Sequence, residues 1–541
     1  MTSCNIRTAR KGAWSKLRFL TTAAVAAGVM ALAAPGDAEA QQKVLRVVPH
    51  ADLSNIDPIW TTAYITRNHA YLVFDTLFAL DENLEVQPQM AEGYEVSDDG
   101  LTWTFTLREG LLFHDGQPVT SEDAVVSLER WASRDGMGQK LMSVAEGFEI
   151  VDDRTFTLKL KEPYGLVLES LGKISSNVPF IMPARLARTP STEQIPEVIG
   201  SGPFRFVEEE WEPGNLVVYE KFEDYVPRDE PPSYAAGGKV AKVDRVEWHY
   251  IPDAATATQA LLAGEVDLYE QPAVDLIPML KADPSITLET VDPLGTQAFM
   301  RFNFLYPPFD NKLIRQAAMH AISQQDYMYA IIGDPSYFME FCGAYFMCGT
   351  PFETDVGSEI LREKNLDRAR ELLEEAGYDG TEVVILDATD VPVAHGQSLV
   401  TAQALREIGM NVRLAAVDWA TMTSRRAVRD DPAKGGWNLF PTWWLAVDQM
   451  NPISNIAVAA SGDTAWFGWP ENARIEELRN AFARSSDFEE RKQIIEELQR
   501  ELYDFVPYLP TGQYYQPTAW RENVSGVLKT PVPFFWNIEV E

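Results

Sequence analysis

Three helical stretches that each stop at a glycine, two of them running straight into a strand, limit this chain more than any other feature. The spacing predicts helices over 313–332, 366–376 and 398–408, closed by Gly333, Gly377 and Gly409. Glycine ends helices because it enters the left-handed conformation without a steric penalty. Strand-like runs follow at 383–386 and 412–417. Helices alternating with strands call for an α/β lobe, here over roughly 295–505.

Inside that lobe lies the run Phe440-Pro441-Thr442-Trp443-Trp444-Leu445-Ala446-Val447-Asp448-Gln449-Met450-Asn451-Pro452. Residues 435–440 read as a short strand, which would leave the Trp pair and Asp448 at its C-terminal end, where open α/β sheets place ligands. Two indoles can pack a core or wall a ligand, and a carboxylate can cap a turn or hold a cation or amine. Both pairs of readings are open at this point.

The 541 residues are too many for one core, so two or three domains are expected. A formal charge of −34 argues against nucleic acid or an anionic membrane surface as partner. Arg7, Arg10, Lys11, Lys16 and Arg18 precede an apolar run over 19–34, and Ala38-Glu39-Ala40 supplies small residues for cleavage after Ala40. Residues 1–40 therefore read as a signal peptide, too short in its apolar part for the ~20 residues of a spanning helix, and the mature chain is expected in the periplasm. In that oxidising compartment Cys342 and Cys348 are expected to form a short disulfide loop.

The mature chain opens with a strand at 43–48 and a polar loop at 52–62 that carries Trp60, Thr61 and Thr62. A helix is predicted over 67–78, hairpins over 93–107 and 148–160, and a helix capped by Thr120. Gly200-Ser201-Gly202-Pro203-Phe204 reads as a structural turn, because a phosphate cradle needs a helix behind it and Pro203 precedes a strand. A strand over 243–250, a helix over 254–263 stopped by Gly264, and a strand from 265 make a βαβ unit. An amphipathic helix over 487–503 leads to a return segment at Pro507. No HExxH, GxSxG, P-loop or CxxC occurs, and the histidines are too scattered to suggest a metal cluster, so no metal, cofactor or enzymatic activity is expected. Acidic residues are so numerous that a glycosidase-type pair in an exported hydrolase stays open as an alternative of another class.

Residues 91–108, Phe113-His114-Asp115-Gly116, 121–124, Gly200-Ser201-Gly202-Pro203-Phe204, 263–267, 308–317 and the 365–377 helix occur in an order that resembles the family 5 solute-binding proteins of bacterial ABC importers. That group contains dipeptide, oligopeptide and nickel binders. The resemblance implies an α/β, type II periplasmic binding protein-like clamp of two lobes. Lobe I would comprise 41–75, 190–294 and 506–541, with an extra subdomain over 76–189, and lobe II would comprise 295–505. Such a protein is expected to act as a monomer, close on a small-molecule solute and present it to the membrane permease subunits.

The resemblance also implies contacts. Dipeptide binders carry an acidic residue four positions before the proline of the Trp-rich segment, where it takes the ligand's α-ammonium; Asp448 stands there relative to Pro452. Asn451 replaces the usual aspartate before that proline. Trp443 or Trp444 would wall the ligand, and Trp60, Thr61 and Thr62 would close from lobe I. The family's carboxylate-binding arginine belongs to a loop that matches 389–396, which has no arginine and carries His395 as its one histidine. A ligand carboxylate would then lack its usual partner, and a buried unpaired charge costs several kcal/mol. The expectation is an amine-bearing, peptide-like solute, with an oligosaccharide or opine-type solute as the alternative within the family.

Overall fold

The computed structural model describes residues 42–541. The expected signal peptide lies outside the described residues. Among the described residues no helix is long and apolar enough to cross a membrane.

Two sheets organise the chain. The first has seven strands in the order Phe204–Phe206, Leu216–Lys221, Arg245–His249, Val44–Val48, Leu268–Tyr269, Pro517–Arg521 and Ile286–Thr290. Val44–Val48 runs parallel to both Arg245–His249 and Leu268–Tyr269, which the helix Ala254–Ala263 connects. The predicted βαβ unit therefore wraps around the opening strand. The second sheet has five strands in the order Val412–Val417, Val383–Ala388, Leu439–Leu445, Thr296–Phe302 and Tyr508–Tyr514. A separate four-stranded antiparallel sheet is built of two hairpins, Ala91–Val96 with Thr102–Leu107 and Ala145–Ile150 with Thr155–Leu160. Both hairpins fall where alternation and Asp-Gly or Asp-Asp turns put them. Thr120 and Asp123 cap the helix Ser121–Ala132 reciprocally.

The chain passes between the two large sheets at 291–295 and again at 515–516. These passages touch: Gly295 has φ +74°, and a Cβ there would lie 2.5 Å from the Tyr514 carbonyl oxygen. Only glycine satisfies both demands. Tyr508–Tyr514 pairs with Thr296–Phe302, so the return segment crosses the second sheet, beyond the expected lobe II limit at 505, before reaching the first.

Four local expectations need correction. The first helix is Tyr64–Val73 rather than 67–78, and Phe74 is already extended. It is buried on almost every side from Ile65 to Val73, so apolar periodicity marks no single face and fixes its ends poorly. The 313–332 helix is two, Lys312–Ala321 and Gln324–Ile331, parted at Ile322 and Ser323, whose backbone is extended. The 398–408 helix starts six residues earlier, as Pro392–Glu407, because Pro392 occupies a first-turn position that needs no N–H donor. The strand expected at 435–440 is Leu439–Leu445, so the Trp pair lies within it rather than beyond it. Gly200 is a point of close backbone approach, where a Cβ would sit 2.0 Å from the Val73 carbonyl oxygen, and a strand, not a helix, follows at Phe204–Phe206.

Cys342 and Cys348 are joined by a bond of 2.12 Å, with Cα atoms 5.9 Å apart.

Candidate functional site

Val383–Ala388 runs parallel to Val412–Val417 and to Leu439–Leu445, so the C-terminal ends of three strands meet at one edge of the second sheet. Asp448 lies there, on the short 3-10 turn Ala446–Asp448 that follows the strand. Asn451 holds the next turn, its side-chain oxygen accepting the N–H groups of Ile453 and Ser454, both at 2.9 Å. That is the Asx geometry an Asn-Pro pair favours.

Asp448 reaches across to the other half of the molecule. Its Oδ2 accepts the Tyr64 hydroxyl at 2.7 Å and the Ser175 hydroxyl at 3.1 Å. The Tyr64 oxygen in turn accepts the Leu445 N–H at 3.1 Å. Tyr64 opens the first helix, and Arg67, one turn on, lies with its guanidinium 4.5 Å above the Tyr64 ring. That helix is set on the first sheet by His69, whose Nδ1 is 2.9 Å from the Tyr219 hydroxyl. Ser175 is positioned from both sides: Tyr71 donates to the Ile174 carbonyl at 2.8 Å, and the Asn177 amide donates to the carbonyls of Pro58, Ile59 and Thr61.

Arg67 is itself tied inward. Nη1 donates to Ser175 Oγ at 2.7 Å, and Nε and Nη2 both donate to Asn68 Oδ1. Asn68 donates to Glu270 at 3.2 Å, and Glu270 holds His50 at 2.8 Å. The chain of contacts thus runs from His50 through Glu270, Asn68, Arg67 and Ser175 to Asp448.

One atom in this network is bare. Asp448 is 7 % exposed and its Oδ1 is buried without a hydrogen-bond partner. Burial pushes its carboxyl above the usual pKa, against the opposing effect of Tyr64, Lys173, Arg67 and Ser175. Burial, then the Asp448 charge, hold the Tyr64 phenol well above its ordinary value, so it remains a donor. For Glu270 burial acts upward, but His50 and Arg67 outweigh it and the net shift is downward.

The other predicted residues are distributed around this point. Trp443 packs against Trp419 with ring centroids 4.9 Å apart and planes tilted by 34°, and Trp419 follows the end of Val412–Val417. Trp444 faces the opposite side of the strand and packs edge-on against Phe299 and Trp466. Trp60 turns toward Arg134, which lies 5.6 Å over its ring and donates to its carbonyl. Thr61 caps the Ala63 N–H at 3.2 Å, and Thr62 is exposed. His395 lies in the helix Pro392–Glu407 rather than a loop, its Nδ1 2.8 Å from Asp387. Sequence reasoning missed Tyr64, Arg67 and Ser175. Tyr64 lies two residues past Thr62, but a boundary expected at 67 left it in a loop.

The model of the bacterial extracellular solute-binding proteins, family 5 (middle), matches residues 85–465. A protein of Sinorhizobium fredii named "Probable peptide ABC transporter periplasmic-binding protein" is 39% identical over 529 residues, covering 96% of this chain and 99% of that protein. The chain belongs to this family. The glutathione-binding protein of Salmonella typhi is 25% identical over 498 residues, with 88% of this chain and 90% of that one covered. Among solved structures, a periplasmic binding protein from Agrobacterium tumefaciens in complex with agropinic acid aligns with a TM-score of 0.77 at 22% identity, covering 92% of this chain and 99% of that one. A Helicobacter pylori periplasmic binding protein in complex with the peptide STSA gives 0.76 at 23%, with the same coverage. These structures establish the type II two-lobe clamp as the fold of the chain.

Proposed function

We propose that this protein is the periplasmic binding component of an ABC importer, and that it captures a peptide or peptide-like solute with a free amine and delivers it to membrane permease subunits. The two large sheets are the cores of lobes I and II, and the four-stranded sheet is the core of the lobe I subdomain. The observation that carries this reading is the bare Oδ1 of Asp448, a buried anionic acceptor on the C-terminal edge of one lobe, held by hydroxyls of the other. An ammonium group supplies both the missing donors and the countercharge. Trp443 and Trp419 offer an aromatic wall on the same edge, His395 lies in the first turn of the helix that follows the neighbouring strand Val383–Ala388, and Trp60, Thr61 and Thr62 border the first helix on lobe I. The peptide-transport name of the 39% identical relative supports the same class of solute. The role is capture rather than turnover.

Calorimetry of protein freed from bound solute, with a peptide panel, tests the assignment. Asp448→Asn is expected to weaken the best ligand by roughly 2–5 kcal/mol. Affinity kept within about twofold would remove Asp448 from the ammonium role.

A further inference from the structure

Among the described residues Arg67, Arg130, Arg301, Arg315 and Arg491 are the buried arginines. Four of them meet a carboxylate, backbone carbonyls or both. Arg130 pairs with Asp57, and Arg491 pairs with Glu169 and donates to two backbone carbonyls. Arg301 donates to the carbonyls of Phe467, Ala457, Pro507 and Trp466. Arg315 donates to those of Phe505, Phe309 and Asp310. Arg67 differs. It has no carboxylate within 4.0 Å and no backbone carbonyl, and its acceptors are one side-chain amide and one hydroxyl. Asp448 and Glu270 each stand one neutral side chain away from it, beyond Ser175 and Asn68.

A guanidinium has five N–H donors, and three are used here. The two that remain fall one on each terminal nitrogen, the arrangement that receives both oxygens of a carboxylate. Ser175 separates this group from Asp448 by two hydrogen bonds, of 2.7 and 3.1 Å. A buried cation without a carboxylate or backbone carbonyl partner and a buried anion with one bare oxygen, held just out of contact by a hydroxyl, form a complementary pair of half-sites.

We infer that Arg67 binds the carboxylate of the same solute whose ammonium lies on Asp448, so the protein selects short zwitterions: dipeptides, tripeptides and amino-acid conjugates with both charges within a few ångströms. The inference rests on the ammonium reading of Asp448. It resolves the missing arginine of 389–396, because the anion's partner comes from the first helix, on the opposite lobe. Arg67 is then a specificity-determining residue, and long peptides with one distant terminus are disfavoured.

The test is calorimetry on protein unfolded and refolded to remove bound solute, with the peptides Ala-Phe, Ala-Leu and Ala-Ala-Phe, their C-terminal amides and their N-acetyl forms. Amidation is expected to weaken binding to the native protein at least about tenfold. Arg67→Gln should weaken the free acids by a similar factor and the amides, which lose only the support of Ser175, by much less, and Arg67→Lys should fall between. Equal losses for acid and amide in Arg67→Gln, or amides that bind the native protein as well as acids, overturn the carboxylate role. N-acetyl forms that bind as well as free amines overturn the Asp448 reading instead. If no unblocked peptide binds, both fall.

Discussion

Two buried aspartates show how differently one side chain can be used. Asp57, in the loop before the first helix, is 0 % exposed and has both oxygens filled. Oδ1 accepts from Ile59, Trp60 and Arg130, and Oδ2 from Arg130 and Ile195. Asp448, 7 % exposed, has neutral hydroxyls on one oxygen and nothing on the other. A charge buried with a bidentate arginine and backbone donors organises a fold, whereas one buried half-paired costs stability and is sustained by what it binds. Asp57 reads as structure and Asp448 as the proposed site.

The comparison can be broken most forcefully at Arg130. Arg130→Met strands Asp57 and is expected to destabilise the protein by about 3–5 kcal/mol, seen in urea unfolding and equal with or without solute. Asp448→Asn should act in the opposite direction on the unliganded protein. Because the carboxyl pKa is raised by burial, its charged form costs stability above that pKa and the cost vanishes as pH falls. The variant should therefore unfold later at pH 7–8, by roughly 1–3 kcal/mol, with the gap closing in acid; a lower melting temperature at every pH would show Asp448 to be structural.

Asp292, in the first passage between sheets, gives an intermediate case. Burial raises its carboxyl to about 6, with the Gly295 and Leu294 N–H groups and Arg67 opposing. Its contribution is fully present below the ordinary carboxyl range and is lost as pH rises through about 6. Asp292→Asn should flatten the stability profile between pH 4 and 6.5 by on the order of 1 kcal/mol, screened because the residue is partly exposed. Smallest is Tyr64→Phe, which removes one of two donors to Asp448 Oδ2; unliganded stability should fall by about 0.5–1 kcal/mol in thermal melts.

What was legible from sequence follows from how local each signal is. The helix Ala254–Ala263 ends at Gly264 with φ +76°, the hairpins fall at their Asp-rich turns, and Thr120 caps as its spacing requires. These depend on a few adjacent residues. The Trp-rich strand was displaced because Leu439–Leu445 draws its ladder from Thr296–Phe302, some 140 residues away, and no local pattern carries that register. Asp448 could be singled out by its position before Pro452, but its partners lie 384 and 273 residues distant. Tyr64 and Ser175 carry no motif; folding alone makes them neighbours. Sequence leaves open whether Trp443 or Trp444 would wall a ligand; adjacent strand residues point to opposite faces, so the two face different surroundings.

The double passage at Gly295 has a consequence for capture. The Ala446 N–H donates to the Gly295 carbonyl at 2.9 Å, which ties the turn carrying Asp448 to the double passage itself. In a rotation about a fixed axis, displacement grows with distance from it. If the two large sheets rotate about the double passage, Asp448 has a short lever arm and keeps nearly the same place, while residues far from the passage sweep widely. On the proposed role of Asp448, an arriving solute would meet a preset anchor beside the double passage, and the energy gained there would be passed to the parts farther away as torque.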